Sequence, residues 1–113
     1  MRRVAVFSPP TPRRKPLYIG ALEFDLLLGD VHSLKEKRSV IRPILAELTK
    51  RFAVNAAEAG DQDLHRRALL GVVMVSAEPS HLNEVLDKCE RHVAARPEIE
   101  LLAVRRRIFG PED

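Results

Sequence analysis

Across Gly29 the apolar pattern of this chain changes period, from two residues to about 3.6, and few architectures accept that join. Before it, Tyr18, Gly20, Leu22, Phe24, Leu26 and Leu28 share one parity while Glu23 and Asp25 share the other. That alternation predicts a strand with one buried and one polar face, the habit of an antiparallel or mixed sheet covered on one side. After it, Leu34, Ile41, Ile44, Leu45, Leu48 and Phe52 recur at helical spacing. Ser33-x-x-Glu36 is a capping box: the hydroxyl can accept from the Glu36 N–H, and the Glu36 carboxylate can reach back to the Ser33 N–H. Pro43 removes the bond to the Ser39 carbonyl, so a single helix to about Arg51 is expected to bend there.

The rest of the chain repeats the unit. A weaker strand is expected over Ala53–Ala59, with mixed parity that leaves its register open and allows a bulge. Gly60-Asp61 marks a turn. Ala68–Val75 reads as a buried strand, and Pro79 suits the first turn of a second helix with the stripe Leu82, Val85, Leu86, Cys89 and Val93. Arg96-Pro97 ends that helix, and Ile99–Phe109 is the last strand. The order βαββαβ predicts an α+β, ferredoxin-like fold: a four-stranded, mostly antiparallel sheet with two helices on one face. In that arrangement the last strand lies beside the first. Arg105 and Arg107 would then share the open face with Glu23 and Asp25, and Leu102, Val104 and Ile108 would face the helices.

At 113 residues one domain is expected, here residues 17–110, with 111–113 a short tail. Residues 1–16, with Pro9, Pro10, Pro12 and Pro16, read as a disordered basic extension or the product of an upstream translation start. They lack the apolar core and cleavage site of a secretory signal. No apolar run approaches the roughly 18 residues of a membrane span, and the lone Cys89 leaves no internal disulfide to form. A cytoplasmic protein is the expectation.

The charge is unevenly placed. Five of the 19 basic residues and none of the 16 acidic ones lie in residues 1–16, so that segment is +5 and the remainder, with 14 basic and 16 acidic side chains, is −2. A global argument from basicity to nucleic acid therefore fails for the domain. A local one survives, because residues 33–52 hold six basic and two acidic side chains.

The residues Gly20-Ala21-Leu22-Glu23, and above all His32-Ser33-Leu34-Lys35-Glu36-Lys37-Arg38, resemble the YlxP-like family, domain of unknown function 503. Val54-Asn55-Ala56-Ala57-Glu58, Asp61-Gln62-Asp63-Leu64, Leu70-Gly71-Val72 and Glu98-Ile99-Glu100-Leu101-Leu102 extend the resemblance, which spans about Tyr18 to Phe109. It implies a ferredoxin-like fold. Members are often encoded near factors of translation initiation and small-subunit maturation, so it also implies a link to RNA or the small ribosomal subunit, by association and not by mechanism.

Lys35, Lys37, Arg38 and Arg42 are the candidate phosphate- and RNA-binding residues. Lys35, Arg38 and Arg42 recur at i, i+3 and i+7, close to one helical face, and free N–H groups at the helix start add to the attraction for anions. The plainer alternative is a solvated face opposite the apolar stripe, although cations at a helix N-terminus oppose its dipole. Arg105 and Arg107 are better explained by cross-strand pairing with Glu23 and Asp25. An RNA-reading sheet face would need exposed aromatic rings, and only Phe109 qualifies.

His32, His65, His81 and His92 are scattered without metal-ligand spacing, so no metal is assigned; His32 is placed to donate into its turn, and Cys89 reads as a small core residue. Glu58, Asp61 and Asp63 form an acidic corner, expected to be a solvated turn partnered by Arg66 and Arg67. No Walker, GxGxxG or GxSxG motif is present, so no catalytic residue and no cofactor is assigned. The expectation is a non-enzymatic binding protein for RNA or the small ribosomal subunit. The alternative is an oligomeric ligand-binding or regulatory module resembling ACT-like or PII-like domains, a homo-oligomer through its open sheet face or an edge strand, with ligand near the Ser33 helix start.

Overall fold

The computed structural model describes residues 16–112. The expected extension at residues 1–16 therefore lies, but for Pro16, outside the described residues. The elements run β1 (Tyr18–Leu28), α1 (Leu34–Phe52), β2 (Asn55–Gly60), β3 (Arg67–Ser76), α2 (Pro79–Ala94) and β4 (Ile99–Phe109). The four strands form one antiparallel sheet of order β2-β3-β1-β4, the ferredoxin-like arrangement, with the last strand beside the first.

Burial along β1 alternates with its sequence: Leu22, Phe24, Leu26 and Leu28 are buried and the residues between them are half-exposed. These four meet Ile41, Ile44 and Leu48 of α1 and Leu82, Leu86, Cys89 and Val93 of α2 in one core. Each large apolar side chain so buried contributes about 1.5–3 kcal/mol relative to exposure. Burial also pushes the Cys89 thiol up to about 11, so it sits in the core as an inert small residue. Gly20 lies on the same face, and a Cβ there would come within 2.7 Å of Leu82 Cδ2 and 2.9 Å of Leu86 Cδ1. The missing side chain is what lets α2 approach β1.

Two details of register differ from the alternation. In β4 the pairing slips between Asp25 and Leu26: Ala103 faces Asp25 but Leu101 faces Leu26. Leu102 is the extra residue of a β-bulge, so Leu101 packs on the core and Leu102 is exposed, the reverse of what strict parity predicts. Ile108, also expected against the helices, is exposed, while Val104 packs there as anticipated. In β2 a similar slip between Glu58 and Gly60 leaves Ala59 unpaired, the bulge that the mixed parity allowed.

Candidate nucleic-acid interface

Helix α1 runs from Leu34 to Phe52 through Pro43 without a break. Its N-cap Ser33 is extended, and Ser33 Oγ accepts a hydrogen bond from Glu36 N at 3.1 Å. The other half of the box is displaced by one residue. Glu36 Oε1 accepts from His32 N at 2.6 Å, not from Ser33 N, and His32 Nε2 lies 2.6 Å from Asp30 Oδ1. Two of the backbone donors at this end are thus taken by the chain itself, which weakens the expectation that the helix start attracts an external anion.

The four basic residues of the expected site divide in two. Lys37 is only 2% exposed. Its ammonium donates to the carbonyls of Asp61 at 2.6 Å and Leu64 at 2.7 Å, and lies 2.7 Å from Glu58 Oε2 as an ion pair outside hydrogen-bond alignment. Lys37 is therefore removed from the phosphate-binding set. It is an internal strut that ties the turn after β2 to α1, with two hydrogen bonds to carbonyls and its charge balanced by Glu58. The signal was present in the sequence: Lys37, Ile41, Ile44 and Leu48 fall at i, i+4, i+7 and i+11, so the helical period places Lys37 at the head of the buried stripe.

Lys35, Arg38 and Arg42 stay outside. All three are exposed, and with Ser39 and Pro43 they line one shallow groove of about 480 Å³. None makes an ion pair or side-chain hydrogen bond with the described residues. No acid shares their stripe, which continues through exposed Ala46 and Thr49.

Six arginines elsewhere in the fold show what stability alone does with a cation here. Arg67 makes a two-pronged bond to Asp25 at 2.8 and 2.9 Å. Arg66 Nε donates to the carbonyls of Leu28 and Gly29. Arg96 bridges Glu47 and Glu98, each at 2.9 Å. Arg106 turns toward α2 and meets Asn83, Asp87 and Glu90. Arg105 and Arg107 lie 3.5 and 3.9 Å from Glu23 Oε1, the cross-strand pairing that register predicts. Two expected partnerships are corrected: Asp25 pairs with Arg67 rather than with β4, and Arg66 and Arg67 serve β1 rather than the acidic corner, whose Glu58 is held by Lys37. His92, placed beside the apolar stripe, lies edge-on to Phe52 and 3.0 Å from Glu47 Oε1.

Fold and surface define the class: a ferredoxin-like α+β domain with an uncommitted cationic strip on its first helix. Residues 19–106 match the model of the family described as Protein of unknown function (DUF503), and the chain belongs to that family. It is also similar to the "Uncharacterized protein YlxP" of Bacillus subtilis (strain 168), with 33% identity over 91 residues that cover 80% of this chain and 99% of the relative.

Proposed function

We propose that this protein is an RNA-binding module that engages phosphates through Lys35, Arg38 and Arg42, with the small ribosomal subunit as its partner. The observation that carries the reading is the contrast between these three cations, which share one groove, and six of the seven described arginines beyond α1; the seventh, Arg91, is exposed on α2 with no side-chain partner among the described residues. Arg66, Arg67, Arg96, Arg105, Arg106 and Arg107 all have partners within the fold. The three on α1 have none among the described residues and converge on one open groove. Three exposed cations on one helix face, spaced over about 10 Å, suit a run of backbone phosphates and carry no base-reading group, so binding follows charge more than sequence.

The test is binding of the full chain to fluorescent single-stranded RNA and to isolated ribosomal subunits across a salt series. Three phosphate contacts give a log–log salt slope of about −2 from this helix. The combined substitution Lys35→Glu, Arg38→Glu, Arg42→Glu removes that contribution and lowers affinity at least about tenfold. Lys37→Met, which changes a side chain facing the interior, leaves the affinity in place. Normal binding by the triple variant overturns the assignment, as does absence of binding by the wild type at low salt.

A further inference from the structure

We propose that the open face of the sheet is a self-association surface, and that its occupant is the same face of a second copy of this chain. The face is built from the odd-numbered residues of β1 and β3 and, past the bulge, from Ala103, Arg105, Arg107 and Phe109 of β4. In the registers observed, Ile19 stands between Val75 and Phe109, and Ala21 between Val73 and Arg107. At that end four apolar side chains meet solvent together: Val75 is 59% exposed, Val73 42%, Phe109 40% and Ile19 37%. Beside them Ala21, Ala57, Ala59 and Gly71 floor a shallow hollow of about 280 Å³. Isolated exposed apolar residues are ordinary, but a contiguous row across three strands marks an interaction surface.

Charge and size choose the occupant. The face carries both signs. The Asp25–Arg67 pair is closed. Around Glu23, however, Arg105 and Arg107 approach one carboxylate oxygen at 3.5 and 3.9 Å, which leaves guanidinium donors and the second oxygen free for a partner. A surface that offers acid and base side by side complements itself, and it suits neither a polyanion nor a partner of single sign. With Phe109 its one exposed ring among the described residues, it offers no stacking platform for bases.

Three strands of 10 and 11 residues at about 3.3 Å per residue and about 4.8 Å apart give a footprint of roughly 500 Å². That is the size of a small dimer interface, below the roughly 800 Å² per partner of a standard one. The sheet edges are poorer candidates. Edge strand β4 carries Arg105, Arg106 and Arg107 in a row, so pairing with its own copy would oppose like charges, and β2 has only six residues with a slipped register.

Sedimentation equilibrium of the full chain tests this. The wild type is expected to approach twice its 12.8 kDa mass with a dissociation constant in roughly the micromolar range. Val75→Glu on β3 and Phe109→Glu on β4 each replace an exposed side chain, so the fold should persist by circular dichroism. Each should raise the dissociation constant at least about 30-fold. A wild type that remains monomeric at about 100-fold above the micromolar range overturns the proposal. So does a dimer that survives either variant while folded, which would place the contact at an edge.

Discussion

Single residues in this chain are explained by what their backbones and neighbours demand, and Ala53 shows the demand unmet. It ends α1 in the left-handed region, at φ 55° and ψ 43°, with its N–H bonded to the Thr49 carbonyl. That is the position where helices favour glycine. An alanine held there costs about 1–2 kcal/mol. Ala53→Gly removes that cost and surrenders about 0.5–1 kcal/mol through the greater freedom of the unfolded chain. The expected outcome is a gain of about 0.5–1 kcal/mol in urea unfolding, from a substitution that is usually destabilising. A loss of stability would mean that the helix ends differently in solution. Lys37 teaches the complementary lesson. Charge type alone groups it with Lys35 and Arg38, whereas position along the helix groups it with Ile41 and Ile44, and position decides, because a 3.6-residue period leaves a side chain on the inner stripe no route to solvent.

Between elements, the two helices are clasped by polar groups as well as by the core. Glu47 of α1 receives Arg96 at 2.9 Å and lies 3.0 Å from His92 of α2. The hydrogen bond from Arg96 is the main reason the Glu47 carboxyl titrates below its ordinary 4.5, with the charges of Arg96 and His92 adding to it against some desolvation. A carboxyl whose pKa is lowered by folding adds stability that is complete above its unfolded value and lost as the pH falls through the folded one. The stability difference between wild type and Glu47→Gln, followed by urea unfolding over a pH series, should therefore shrink as the pH falls below about 4.5. A difference that does not change with pH would show that the clasp does not bear on folding. Elements were legible in the sequence wherever one period ran cleanly: β1, the capped start of α1 and the Pro79 start of α2 lie where the pattern put them. Legibility failed where a single residue breaks the period. The bulge at Leu102 exchanges the roles of Leu101 and Leu102, because parity counts residues and a bulge inserts one that pairs with nothing.

At the scale of the whole molecule the two surfaces proposed for binding lie on opposite sides of the sheet. The cationic groove belongs to α1 in the helix layer, and the apolar row belongs to the open face. If two open faces pack together, both helix layers turn outward and the dimer presents two grooves. With sheets stacked at about 10 Å and a helix about 10 Å thick on each outer side, the grooves stand on the order of 40 Å apart. A short oligonucleotide fills one groove and gains nothing from the second, whereas a long RNA engages both, so that its second contact becomes intramolecular. Val75→Glu, which lies far from α1 in the sheet, should therefore leave the affinity for a short strand within about twofold. The same change should weaken binding of a long, folded ribosomal RNA fragment at least about tenfold. Fluorescence anisotropy with the two RNAs, on protein held above the wild-type dimerisation constant, reads the ratio directly. Equal effects on both lengths would mean that the groove and the sheet face are not joined in one bivalent particle, even if each binds on its own. Loss of binding to the short strand alone would place phosphate contacts on the open face, where Arg105 and Arg107 would then have to supply them.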